Sequence, residues 1–199
     1  MRKTVQDNRS TRRTRAAIEG SLMAIMAHKP IGKITIQEII DRANVCRTTF
    51  YAHYQDIYDL LESIGNSIIS EIGARLDDLE ETPVRVEGEY PTIVSVVHIY
   101  DKYADTIRLL NGPNGDASFD RRLQEKIYEE TRRLREIKDG AAFDLERHKL
   151  YSCYVISGGI SVLNRLLEEN REWDVDVVSH LLGEMAETGE RVFLEGSKS

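Results

Sequence analysis

The stretch 34–61, ITIQEIIDRANVCRTTFYAHYQDIYDLL, constrains this chain more than any other. It reads as two short helices joined by a tight turn, followed by the start of a longer helix. The first helix is expected over 36–43. Thr35 is placed to cap it, and Glu38 three residues on completes a capping box. Ile36, Ile39, Ile40 and Ala43 make one apolar stripe at helical spacing. Asn44 stands where the chain must reverse, and Asn tolerates the left-handed conformation that ends a helix. The second helix is expected over 47–54. Val45, Phe50 and Tyr54 can face inward, which leaves Arg47, Thr48, Thr49, Tyr51 and His53 outward.

No carboxylate occurs from Val45 to Gln55. Arg can donate two parallel bonds to a guanine edge, Thr can donate, accept or touch a thymine methyl, and Tyr and His can reach phosphate oxygens. A short exposed helix of this kind fits a DNA major groove. It also fits the edge of a helical bundle whose polar face is merely solvated.

The run Thr35-Ile-Gln-Glu-Ile-Ile, then Ala43-Asn-Val, Thr49-Phe-Tyr-Ala-His-Tyr and Asp59-Leu-Leu resembles the DNA-binding domain of the TetR/AcrR family of transcriptional regulators. The likeness covers residues 11–72. It implies DNA contacts by Thr35, Arg47, Thr48, Thr49, Tyr51, His53 and Tyr54, with phosphate contacts on Thr35, Tyr51 and His53 and base reading by Arg47, Thr48 and Thr49. Three positions depart from the family pattern. Asn44 replaces the usual turn Gly. Cys46 replaces a Ser or Thr cap, at a cost of about 1 kcal/mol. Ile57 stands where a phosphate-contacting Lys is usual.

Charge divides the chain. Residues 1–55 hold ten Lys/Arg and four Asp/Glu, a balance of +6, whereas residues 56–199 hold seventeen and thirty, a balance of −13; the net charge is −7. A basic head on an acidic body suits a DNA-binding domain joined to one that avoids DNA. Hydrophobic and charged contents of 41% and 31% are those of a soluble globular chain. No apolar run approaches the roughly 18 residues of a membrane helix. MRKTVQDNRSTRRTR carries no apolar core behind it, so no signal peptide and a cytoplasmic location are expected. Cys46 and Cys153 lack paired spacing and are expected to be free thiols. Cys46 could also act as a redox sensor.

The expected fold class is all-α, with a three-helix helix-turn-helix domain over 11–55, a connecting helix over 56–80, and a helical regulatory and dimerisation domain over 81–199. Arg2, Lys3 and Arg9 belong to an N-terminal arm that either enters a minor groove or stays disordered. Ser10 or Thr11 caps a first helix running to His28, with Arg12, Arg13 and Arg15 near its start opposing the helix dipole unless phosphate lies close. The connecting helix carries Ile57, Leu60, Leu61, Ile64, Ile68, Ile72 and Leu76. Residues 80–91, with two prolines, a glycine and four glutamates, read as an exposed loop. One helix is expected over 92–110 and another, capped by Ser118, over 118–138 with Phe119, Leu123, Ile127, Leu134 and Ile137 as its stripe.

The helix over 143–169 is apolar all round at Tyr154–Leu163, which predicts burial on every side. Asp174 or Asp176 starts the last helix. The family resemblance implies a homodimer through 143–169 and 174–194. Tyr100, Tyr103, Phe119, Leu123 and Tyr154 are candidates to line an effector pocket, with ordinary core packing as the alternative.

No phosphate loop, zinc spacing, calcium loop or nucleophile elbow is present. No cofactor or metal is indicated, and an enzyme is not expected. His98 with Asp101 forms a helical pair better suited to a structural hydrogen bond than to a site. The expectation is a homodimeric regulator, a repressor on a pseudopalindromic double-stranded operator, controlled by a small-molecule or protein effector. The alternative is a non-enzymatic interaction protein with weak or no DNA binding.

Overall fold

The computed structural model describes residues 9–86, 88–169 and 172–195. Among them are nine α-helices, and no strand beyond one isolated bridge between Val86 and Glu89. The contacts divide the chain into two compact units: residues 1–66 with 109–117, and residues 67–108 with 118–199.

In the first unit, α1 (Arg9–Met26) buries Ile18, Leu22 and Met26 at helical spacing. A 3-10 turn (Ile31–Lys33) leads to α2 (Ile36–Ala43), whose capping box forms as expected. The Glu38 backbone N–H donates to Thr35 Oγ1 at 3.3 Å, and the Thr35 N–H donates to Glu38 Oε2 at 2.9 Å. Lys29 Nζ then holds the same carboxylate at 2.6 and 2.8 Å.

Asn44 takes φ 52° and ψ 48° and ends α2. It is the one non-glycine residue with positive φ among the described residues. The Val45 N–H closes this end on Ile40 O at 3.0 Å, so the orphan carbonyls of the helix are used. The chain then enters α3 (Arg47–His53), one residue shorter than expected because Tyr54 is extended (φ −137°, ψ 142°). Phe50 is fully buried and anchors α3 to the unit's core. Next comes α4 (Ile57–Asp77), with the Asp56 carboxylate accepting from the backbone N–H groups of Tyr58 and Asp59 at 2.8 and 2.9 Å. Arg2 and Lys3 of the expected arm lie outside the described residues, and Arg9 opens α1.

In the second unit, the single helix expected over 92–110 is two: α5 (Pro91–Lys102) and α6 (Ala104–Asn111). Tyr103 breaks it, at φ −110° and ψ 20°. Its hydroxyl donates to Glu71 at 2.6 Å, and Lys102 lies 4.7 Å over its ring, so side-chain anchoring accompanies a break that no Gly or Pro marks. The turn at 112–116, which belongs with the first unit, is tight, with the Gly115 N–H on Gly112 O at 2.9 Å and the Asp116 N–H on Leu110 O at 2.8 Å. A Cβ at Gly115 would stand 2.0 Å from Leu110 O, so no other residue fits there.

In α7 (Phe119–Asp139), Phe119, Leu123, Ile127 and Leu134 are buried, but Ile137 is 51% exposed. Ser118 does not cap this helix; its hydroxyl meets Arg122 instead. After Gly140 (φ 51°), Asp144 caps α8 (Leu145–Glu168), and Asp174 caps α9 (Val175–Glu190) with its carboxylate on the N–H groups of Asp176 and Val177. Gly189 lets α9 lie close to α8, since a Cβ there would meet the Tyr154 ring at 3.1 Å. The burial of α8 on every side does not hold within one chain. Tyr154 is 45% exposed and Ser161 is exposed, because α9 and α7 cover only part of the helix.

Candidate nucleic-acid interface and effector cavity

The α2–turn–α3 segment presents a polar face fixed by what lies beneath it. Phe50 holds α3 down, its ring edge-on to Tyr51 at 5.6 Å and tilted against Tyr54 at 5.9 Å. Arg47, Thr48 and Tyr51 are exposed, and Thr49 and His53 are half-buried. The Arg47 guanidinium lies 5.8 Å from the centre of the Tyr51 ring. Stacking of this kind leaves the edge donors of the guanidinium available to a planar acceptor.

Thr35 is exposed, but its hydroxyl is engaged with Glu38, as donor at 3.0 Å and as the cap acceptor. The bonds from Lys29, then those from the Thr35 N–H and hydroxyl, hold the Glu38 carboxyl down to about 2.

Tyr54 departs from the expected contact set. It is 3% exposed, and its hydroxyl donates to Glu19 at 2.8 Å and receives Arg15 Nε at 3.4 Å. Burial, above all, pushes this phenol up to about 12. The residue therefore braces α3 against α1, and the contact set is better drawn without it. Arg15 is likewise turned to Tyr54 and Ser63, whereas Arg12 and Arg13 are exposed.

Cys46 is the N-cap of α3 and makes no capping bond to its backbone, as the residue type predicts. Its exposed sulfur lies 3.0 Å from the hydroxyls of both Thr48 and Thr49. The Thr48 hydroxyl bond first, then that of the Thr49 hydroxyl, bring the thiol down to about 7.

Within the second unit lies a cavity of about 130 Å³. Its wall is drawn from the segment 79–97, α7, α8 and α9. Of the five candidate pocket residues only Tyr154 lines it. Tyr100, Phe119 and Leu123 are fully buried core residues; Tyr100 is 3.4 Å from Asn164 Oδ1, and its phenol is pushed far up by burial. Tyr103 is held by Glu71.

Among the wall residues that sequence reasoning missed are Tyr90, Arg135, His148, Tyr151 and Ser152. His148 and Ser152 stand one turn apart on α8, a polar pair on an otherwise apolar face, and that spacing was a usable signal. Arg135 and Glu190 pair across 55 residues, which no local pattern announces. Tyr90 donates to the same Glu190 at 2.6 Å. Burial works against the Arg135 charge, but Glu190 and Asp139 more than offset it and raise its pKa. Burial, with Arg135 nearby, lowers His148 to about 4.

Among the described residues no cluster of His, Cys, Asp and Glu is arranged to hold a metal, and no helix is long and apolar enough to cross a membrane.

The fold and these two features define an all-helical protein with an N-terminal helix-turn-helix. Two regulators are among the known structures it resembles. A TetR transcriptional regulator from Streptococcus agalactiae 2603V is 22% identical, with 89% of this chain and 96% of that one covered at a TM-score of 0.60. The dihydroxyacetone kinase operon activator DhaS is 15% identical, with 93% and 96% covered at a TM-score of 0.59. No family model matches the chain, and no curated protein matches it in sequence. The TetR-type fold expected from residues 11–72 is thus the fold of nearly the whole chain.

Proposed function

We propose that this chain is a DNA-binding transcriptional regulator of the TetR/AcrR type, acting as a homodimeric repressor on a pseudopalindromic operator. The observation that carries the reading is the exposed, carboxylate-free face of α3, positioned by a capped α2 and a left-handed Asn44 turn. In this reading Arg47, Thr48 and Thr49 meet base edges, and Thr35, Tyr51 and His53 meet phosphates. The solved structures it resembles, one called a TetR regulator and the other an operon activator, support regulation and leave its sign to experiment.

Dimerisation is proposed through α8 and α9. Leu150 and Tyr154 on α8, and Val177, Leu181, Met185 and Val192 in and after α9, are 37–63% exposed and recur four or seven residues apart along one side of each helix. Two-fold symmetry then sets half-sites about 34–36 Å apart, or slightly more. Leu181→Glu is expected to convert the dimer to monomer in light scattering, while helical content is retained. A cavity occupant would regulate through whichever state of the dimer it binds better.

The test is the salt dependence of operator binding. A protein that neutralises several phosphates loses affinity by orders of magnitude between 50 and 200 mM salt. A flat salt response would remove the DNA-binding reading.

A further inference from the structure

We infer that the cavity of the second unit is a site for a small uncharged molecule, with an apolar body of about one ring and a single hydroxyl group that joins the Ser152–His148 pair. The inference rests on the reading of this unit as effector-responsive, and it names the chemistry of the effector.

Size sets the first limit. The cavity measures about 130 Å³, and a protein cavity of about 150 Å³ is known to hold benzene. The wall is mainly apolar, with Val97, Ile127, Leu134, Ile160, Leu163 and Leu182 among its side chains, so the body of the ligand is apolar.

Charge sets the second. Arg135 is paired with Glu190 and lies 3.7 Å from Asp139. Glu190 in turn also accepts from Tyr90. Lys138, the other cation on the wall, directs its ammonium to three backbone carbonyls, those of Leu79, Glu80 and Thr82. An ammonium has three donors, so these bonds saturate it. His148 is neutral at physiological pH because burial holds it at about 4. An ionic ligand would leave water and find every opposite charge already engaged.

Hydrogen-bonding capacity sets the third. Ser152 Oγ and His148 Nε2 lie 3.0 Å apart, and the two residues are 3% and 2% exposed. If serine donates to the ring, its oxygen still has lone pairs for a donor. If the ring donates to serine, the serine proton remains for an acceptor. A ligand hydroxyl can donate and accept, so it completes the pair in either tautomer.

The test is calorimetry on the full chain with phenol, toluene, benzoate and benzylammonium. Phenol and toluene are expected to bind, and each ion to bind at least about tenfold more weakly than phenol. Ser152→Ala should weaken phenol about tenfold and leave toluene unchanged. Gly159→Leu should fill the cavity and abolish binding of both; a helical glycine whose Cβ would meet only Leu182, at 4.0 Å, leaves room for the replacement to fold. Should Gly159→Leu melt early, Ser152→Ala decides alone.

Tighter binding of either ion than of phenol would overturn the inference. So would equal losses for phenol and toluene in Ser152→Ala, or wild-type phenol affinity in a folded Gly159→Leu protein. Operator binding without phenol binding removes the ligand class and spares the regulator. Phenol binding that leaves operator affinity unchanged upholds the ligand class and removes the effector reading.

Discussion

The two units are specified by different kinds of interaction. In the first, nearly every decisive feature is local: a cap and its partner three residues apart, a left-handed Asn, an exposed Arg with neighbouring hydroxyls over one buried Phe. In the second, the decisive features join residues far apart: Arg135 with Glu190, Tyr103 with Glu71, and a cavity drawn from four parts of the chain. The helix-turn-helix of the first unit is therefore set by residues close together in the chain. The second unit owes its shape to packing between distant residues, and that packing leaves a cavity.

The largest effect that can break this comparison is expected at Phe50. It is fully buried, so Phe50→Ala removes the anchor of α3 and should cost about 3–5 kcal/mol in denaturant unfolding. A loss below about 1 kcal/mol would show that α3 is held by something other than its core contact.

Arg47→Ala should leave stability unchanged and cost about 1–3 kcal/mol of operator affinity, with relaxed preference at one base position. Equal losses on all DNA would assign Arg47 to the backbone instead.

Thr35→Ala removes the α2 cap and should cost about 1 kcal/mol. The same box sets a pH response. The Glu38 carboxyl is held at about 2 in the fold, below its ordinary 4.5. Its contribution is therefore fully present above pH 4.5 and is lost as pH falls from there toward 2. Acid titration of stability should show this decline in the wild type, and a smaller one in Glu38→Gln.

The smallest effect is expected from Cys46→Ser. A hydroxyl can cap α3 where the thiol does not, so the variant should gain up to about 1 kcal/mol. A loss would mean that the sulfur's contacts with Thr48 and Thr49 matter more than a cap.

The same division explains what could be read beforehand. The bounds of α2, the Asn44 turn and the missing cap at Cys46 were legible because each rests on residues within five positions of one another. Tyr54 was ambiguous, since an aromatic at the end of a short helix can turn either way; Glu19 and Arg15, more than thirty positions earlier, decide it. The break at Tyr103 was not legible, because its anchor Glu71 lies on another helix. The cavity was misplaced for a similar reason. Tyr100, Phe119 and Leu123 have the periodicity of either a core or a pocket wall, and only packing distinguishes the two.

Specific recognition of DNA by α3 within a symmetric dimer, as proposed above, is open to one decisive measurement: selection of bound sequences from a random DNA pool at physiological salt. Enrichment of a two-fold symmetric site is expected, with the preference at one position in each half-site lost in Arg47→Ala. A folded, dimeric protein that enriches no sequence would contradict it.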